Sequence, residues 1–192
     1  MEVVALKQNY SSRIHPQKFA LWSAMASIMM MFGAFTSAYI VRQAAGNWLE
    51  FPLPNIFYVS TAIILLSSVT LHLSYRGFKA GSEKQYKGLL VLSFILGIGF
   101  LVSQYIGWQT LFATGVDMKG NPAGAFLYVI TGVHALHILG GIGTFIVALI
   151  HAFSLEYKIT EKRKIRFELV VHYWHFVDLL WLYLLIFLLL TR

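Results

Sequence analysis

The sequence predicts an all-α membrane protein, a bundle of five transmembrane helices with a cytoplasmic amino terminus and a periplasmic carboxyl terminus. Composition, long uncharged runs and a one-sided charge distribution predict it. Of 192 residues, 58% are hydrophobic and 12% charged, and the mean hydropathy of +0.68 lies outside the usage of water-soluble domains. A hydrocarbon core about 30 Å thick needs roughly 20 apolar residues per helical span.

The first such run covers residues 19–41, between Lys18 and Arg42, with Ser27, Thr36 and Ser37 as its main polar interruptions. The second covers 55–75 and the third 88–112. The fourth, 123–153, is long enough to tilt or to extend past the lipid. The fifth covers 169–190. Residues 1–18 hold charges and a proline where a signal peptide would carry an apolar segment, so the first span is expected to stay in the mature protein. The loops are short and no internal repeat appears, so residues 1–192 are expected to form a single transmembrane helical domain.

The formal net charge is +7, and its placement follows topology rather than a nucleic-acid footprint. Lys7, Arg13, Lys18, Arg76, Lys79, Lys84, Lys87, Lys158, Lys162, Arg163, Lys164 and Arg166 fall on one side, twelve of the fifteen Lys and Arg residues. Only Arg42, Lys119 and Arg192 fall on the other. Basic residues concentrate on the cytoplasmic side, which sets the orientation. The run from Lys158 to Arg166 reads as a solvated loop near anionic headgroups. The absence of cysteine excludes disulfides, thiolate catalysis and iron–sulfur ligation.

Ionisable groups inside lipid are costly and mark packing or function. Here they are mostly histidines: His72, then His134, His137 and His151 in the fourth span, and Glu168, His172, His175 and Asp178 in or beside the fifth. Residues three or four apart share a helix face, so His134 and His137 project together, and Glu168, His172 and His175 form a stripe that Asp178 continues. These groups admit metal ligation, haem ligation, or hydrogen-bonded packing between helices and to lipid headgroups. For haem, His137 and His151 would lie nearly in line, roughly 21 Å apart at 1.5 Å per residue, but a matching pair at the same depths on another helix is missing. For a metal, the two histidine pairs start at different depths. Gly132, Gly140, Gly141 and Gly143 let the fourth span approach its neighbours closely. Met29, Met30 and Met31 cover most of a helix circumference and read as filler. The tryptophans suit interfaces and large interior gaps.

The string Tyr173-Trp174-His175-Phe176-Val177-Asp178, with Glu168 before it and Trp181 after it, resembles the last helix of subunit III of haem–copper cytochrome c oxidases. Thr131-Gly132-Val133-His134-Ala135-Leu136-His137 resembles the family's T-G-x-H-x-L-H helix, and Leu21-Trp22 through Ala26-Ser27 to Thr36, Ala38 and Tyr39 is similar to its first shared helix. Five spans match the short bacterial form, without the two leading helices of the mitochondrial one.

The resemblance implies an accessory subunit of aerobic respiration in the bacterial inner membrane. Such a subunit has no redox centre of its own; haem and copper are expected in its partners, subunits I and II. It would stabilise subunit I, bind phospholipid, support proton uptake and join a larger respiratory supercomplex in some members. His134, His137, Glu168 and His175 are then candidates for anchoring helices and lipid headgroups, and Trp174 and Asp178 for packing between helices. Ile28 stands where the family commonly has a membrane-embedded glutamate, and Gly107 where another acidic residue often follows Gln104. A quinol-oxidase subunit III, a haem-b membrane cytochrome and a small channel or transporter subunit are the alternatives.

Overall fold

The computed structural model describes residues 15–191. Lys7, Arg13 and Arg192 of the charge asymmetry lie outside the described residues. Five helices make up the fold: α1 Pro16–Ala44, α2 Ile56–Lys79, α3 Glu83–Ala113, α4 Pro122–Ser154 and α5 Glu161–Leu190. All five are long and apolar enough to cross a membrane, and no strand occurs among the described residues.

The helix ends follow local capping chemistry rather than the edges of the apolar runs. Pro16 and Pro122 open α1 and α4 at positions where the missing N–H costs nothing. The Asn121 side-chain oxygen accepts from Ala123 N–H at 2.9 Å, capping α4, and from Leu49 N–H at 3.1 Å, tying the α1–α2 and α3–α4 linkers together. Thr160 caps α5 by accepting from Arg163 N–H at 3.3 Å. Gly81 and Gly115 take positive φ just beyond α2 and α3. The following residues return N–H bonds to Gly77 and Leu111 carbonyls at 3.0 Å, a glycine-dependent stop.

These caps correct the basic-loop expectation. Lys162, Arg163, Lys164 and Arg166 lie on the first two turns of α5, Arg76 and Lys79 on the last turn of α2, and Lys84 and Lys87 on the first two turns of α3. The linkers there reduce to 80–82 and 155–160. A helix satisfies its own backbone, so it can run into the headgroup region while long basic side chains reach water.

α2 and α3 form the most extensive pair, α3 also packs on α4, and α5 lies against both α2 and α4. α1 touches only α4 and α5, and its backbone does not approach α2. The core is apolar but stitched. Ser60, Ser67 and Ser74, seven residues apart on α2, are fully buried and face α3. Ser67 donates to the Ser93 carbonyl at 2.9 Å, Ser74 to the Tyr86 carbonyl at 2.8 Å, and the Gln104 amide donates to Ser60 at 2.9 Å. Small hydroxyl-bearing residues let backbones close up where lipid supplies no hydrophobic drive for association.

The glycine expectation is met at part of the α4 stripe. A Cβ on Gly141 would meet the Trp174 ring at 2.7 Å, whereas at Gly132 and Gly143 it would meet open space. Gly107 has a close neighbour of its own, since a Cβ there would lie 3.1 Å from Ile56 and Phe57. Position 107 is therefore taken up by α2–α3 packing.

Candidate functional site

The six residues singled out from the sequence fall into three settings. His134 and Trp174 are fully buried and Asp178 is 2% exposed. The His134 ring stacks on Trp181 at a centroid distance of 5.2 Å and meets Phe32 and Phe100 edge-on. Neither of its ring nitrogens makes a hydrogen bond among the described residues, and the Asp178 carboxyl, which likewise makes no well-formed bond there, has the Ser68 hydroxyl as its polar neighbour. Trp174 fills the space that Gly97 and Gly141 vacate and donates its indole N–H to Ser67 at 3.2 Å. Two turns on, Trp181 does the same to Thr61 at 2.9 Å, so these tryptophans serve the core rather than an interfacial belt.

His137 and His175 are half-buried. His137 uses Nδ1 on the Val133 carbonyl at 2.7 Å, and its own carbonyl accepts from Tyr173 Oη at 3.0 Å, joining α4 to α5. His175 pairs through Nδ1 with Ser68 of α2, and its ring lies 5.8 Å from that of His72. Glu168 completes the stripe with a partner that sequence spacing does not reveal: Lys18 Nζ of α1 lies 2.7 Å from Oε1. The stripe on α5 thus reaches α1 at Glu168 and α2 at His175. The expected juxtaposition of His134 with His137 also holds, both rings flanking Phe32.

A cavity of about 740 Å³ opens elsewhere, between α1, α4 and α5 at the end of the bundle that carries the basic residues. Gly140, Gly143, Val147, Ala148 and Val170 give it an apolar wall, and Gln17, His151, Tyr157, Arg163 and Arg166 its polar rim. None of the six residues lines it. Arg163 is committed to the linker, donating to the Glu156 and Lys158 carbonyls at 2.7 and 3.2 Å. Burial raises the Tyr157 hydroxyl pKa above its ordinary value, and that hydroxyl donates to the Phe78 carbonyl at 2.8 Å. The cavity combines an apolar slot with cationic groups at one mouth, a shape and charge that suit an acyl chain ending in an anionic headgroup. The glycines at its wall were visible in the sequence; their meeting with Arg166 across helices was not.

Among the described residues no three His, Asp or Glu side chains converge as a metal site. His137 and His151 each spend Nδ1 on their own helix, on the Val133 and Val147 carbonyls.

The family model described as cytochrome c oxidase subunit III matches residues 18–191. The probable cytochrome c oxidase subunit 3 of Mycobacterium bovis is 28% identical over 161 residues, 82% of this chain and 78% of the relative. Cytochrome c oxidase subunit 3 of Pelomedusa subrufa is 33% identical over 138 residues, 72% of this chain and 49% of that protein. The Rattus norvegicus protein is 30% identical over the same length, again 49% of its chain, so this sequence spans about half of these two longer relatives. With the match running from the start of α1 to the end of α5, the chain belongs to the cytochrome c oxidase subunit III family.

Proposed function

We propose that this chain is the accessory subunit III of a haem–copper terminal oxidase in a bacterial cytoplasmic membrane. It carries no redox centre, stabilises subunit I, holds phospholipid and supports proton uptake from the cytoplasmic side by the catalytic subunits. In this reading residues 1–192 form one membrane domain, with the basic end of the bundle cytoplasmic, as the charge asymmetry of the sequence favours. His134, His137, Glu168 and His175 anchor the helices around α5, and Trp174 and Asp178 belong to the seam between α5 and its neighbours.

The observation that carries the lipid role is the cavity between α1, α4 and α5, apolar inside and rimmed by Arg163 and Arg166. A phospholipid seated there would join the loosely packed α1 to α4 and α5 through its acyl chain, with its phosphate facing the cations. Gly143 borders the cavity, and a Cβ added to it would meet nothing within 4 Å. Gly143→Phe should therefore fill the slot without disturbing the core. In the purified complex, Gly143→Phe and Arg166→Gln are each expected to lower the phospholipid retained and to hasten turnover-dependent inactivation. Unchanged lipid content and unchanged catalytic lifetime in both variants would overturn the lipid role.

A further inference from the structure

α1 changes character partway along its length. From Pro16 to Met31 none of its residues is buried, whereas Phe32, Thr36 and Tyr39 all are. The carboxyl-terminal half is fixed at several points. Thr36 pairs with the Tyr183 hydroxyl at 2.8 Å, the Gln43 amide donates to the Thr191 carbonyl at 2.6 Å, and the Tyr39 ring packs on Trp48 and Phe187 at 4.6 and 5.1 Å between centroids. Among the described residues the amino-terminal half makes a single side-chain bond to another helix, from Lys18 Nζ to Glu168 Oε1 at 2.7 Å.

Gly33 stands where the two halves meet, and a Cβ there would encounter nothing within 4 Å. No close approach therefore calls for glycine at this point, yet it weakens the helix relative to alanine. The Thr36 hydroxyl lies 3.1 Å from both the Phe32 and the Gly33 carbonyls, a back-bond that favours bending. The cavity between α1, α4 and α5 lies beside the unanchored half, with Gln17 and Ala20 as the α1 residues on its wall. Lys18 and Glu168 are the immediate neighbours of the lining residues Gln17, Phe167 and Leu169, so their ion pair ties together two of the helices that bound the cavity. Seventeen residues separate Gly33 from Pro16, a lever roughly 26 Å long, so a tilt of about 10° at Gly33 moves its end about 4–5 Å.

We infer that the amino-terminal half of α1 is a hinged gate on the cavity, with Gly33 and Thr36 as hinge and the Lys18–Glu168 ion pair as latch, through which bound phospholipid exchanges with the bilayer. This rests on the reading of the cavity as a phospholipid site and adds how the lipid enters and leaves. A partly exposed ion pair holds the closed position by a small margin. A lipid behind such a latch is retained but replaceable.

The test loads the intact oxidase with deuterated phosphatidylglycerol, mixes it with vesicles of unlabelled phosphatidylglycerol, and follows by mass spectrometry the label that the repurified complex retains. The share of label that Gly143→Phe lacks is the cavity's. Lys18→Met should speed loss of that share about two- to fivefold, and Gly33→Ala should slow it by up to about fivefold. The chain has no cysteine of its own, so Lys18→Cys and Glu168→Cys can be bridged by a short bis-methanethiosulfonate linker. The bridge should arrest the loss, and reduction should release it at the rate of the unlatched chain. Gln43→Ala, in the anchored half, should leave the rate as it is. One common rate in the parent, Lys18→Met and the bridged chain, or a Gln43→Ala rate as fast as that of Lys18→Met, overturns the gate and leaves the lipid reading intact. An unchanged or faster rate in Gly33→Ala contradicts the hinge. Equal label in Gly143→Phe and the parent overturns the lipid reading and the gate together.

Discussion

α1 and α5 have similar length and composition but opposite standing in the bundle. Half of the most apolar stretch of α5 is buried, against 17% for α1. α5 is sewn in by glycine gaps and by indole and hydroxyl bonds to α2, whereas α1 is held by a few clips near its ends and middle: Lys18 to Glu168, Thr36 to Tyr183, and Gln43 to the Thr191 carbonyl at 2.6 Å. In lipid, hydropathy puts a helix in the membrane and says little about what it packs on. Close approach and satisfied polar groups decide that. The cavity between α1, α4 and α5 is the structural consequence, since a helix clipped at three points leaves room beside it.

The largest effect that would break this contrast is steric. Gly141→Leu drives a side chain into the Trp174 ring that a bare Cβ would already meet at 2.7 Å. It should cost about 1–3 kcal/mol and lower the thermal midpoint of the complex in detergent, while the same change at Gly132, which faces open space, should leave the midpoint in place. Equal effects at the two glycines would remove the distinction between α4 faces.

Next comes the hydroxyl seam. Ser67 both donates to the Ser93 carbonyl and accepts the Trp174 indole, so Ser67→Val should cost about 1–2 kcal/mol. That exceeds the loss for Lys18→Met, which breaks a partly exposed ion pair worth about 0.5 kcal/mol. Chemical denaturation of the two variants side by side checks the order. A larger loss at Lys18 would mean that α1 is held as firmly as α5. Hydrogen exchange along α1 in Lys18→Met should rise locally, with α2 and α3 unaffected.

The smallest effect concerns His134. Its ring makes no hydrogen bond among the described residues and is enclosed by Phe32, Phe100 and Trp181, so His134→Phe should leave stability close to that of the parent, below the loss at Lys18. A severe loss of folded complex would show that the ring nitrogens carry an interaction in the assembly.

The five helices were legible because hydrocarbon thickness sets a length that apolar runs must meet. Their ends were not, because Thr160 caps α5 ahead of Lys162–Arg166 and charged side chains can leave the membrane while their backbone stays helical. The stripe Glu168–His172–His175 was visible as spacing on one helix. Its partners, Lys18 and Ser68, stand 150 and 107 residues away in sequence, and no local pattern pairs them. The seven-residue rhythm of Ser60, Ser67 and Ser74 was present to be read, yet small polar residues in apolar runs carry too little signal alone. The cavity had no sequence signature, since it arises from the looseness of α1 rather than from any motif.

The central claim is that this chain serves redox chemistry housed in other subunits. Removing it from the purified oxidase and comparing the remaining complex with the intact one tests this most directly. The account predicts an unchanged haem spectrum and unchanged initial turnover per haem at neutral pH, followed by faster inactivation during turnover. Loss of haem absorbance or of initial turnover together with this chain would contradict it.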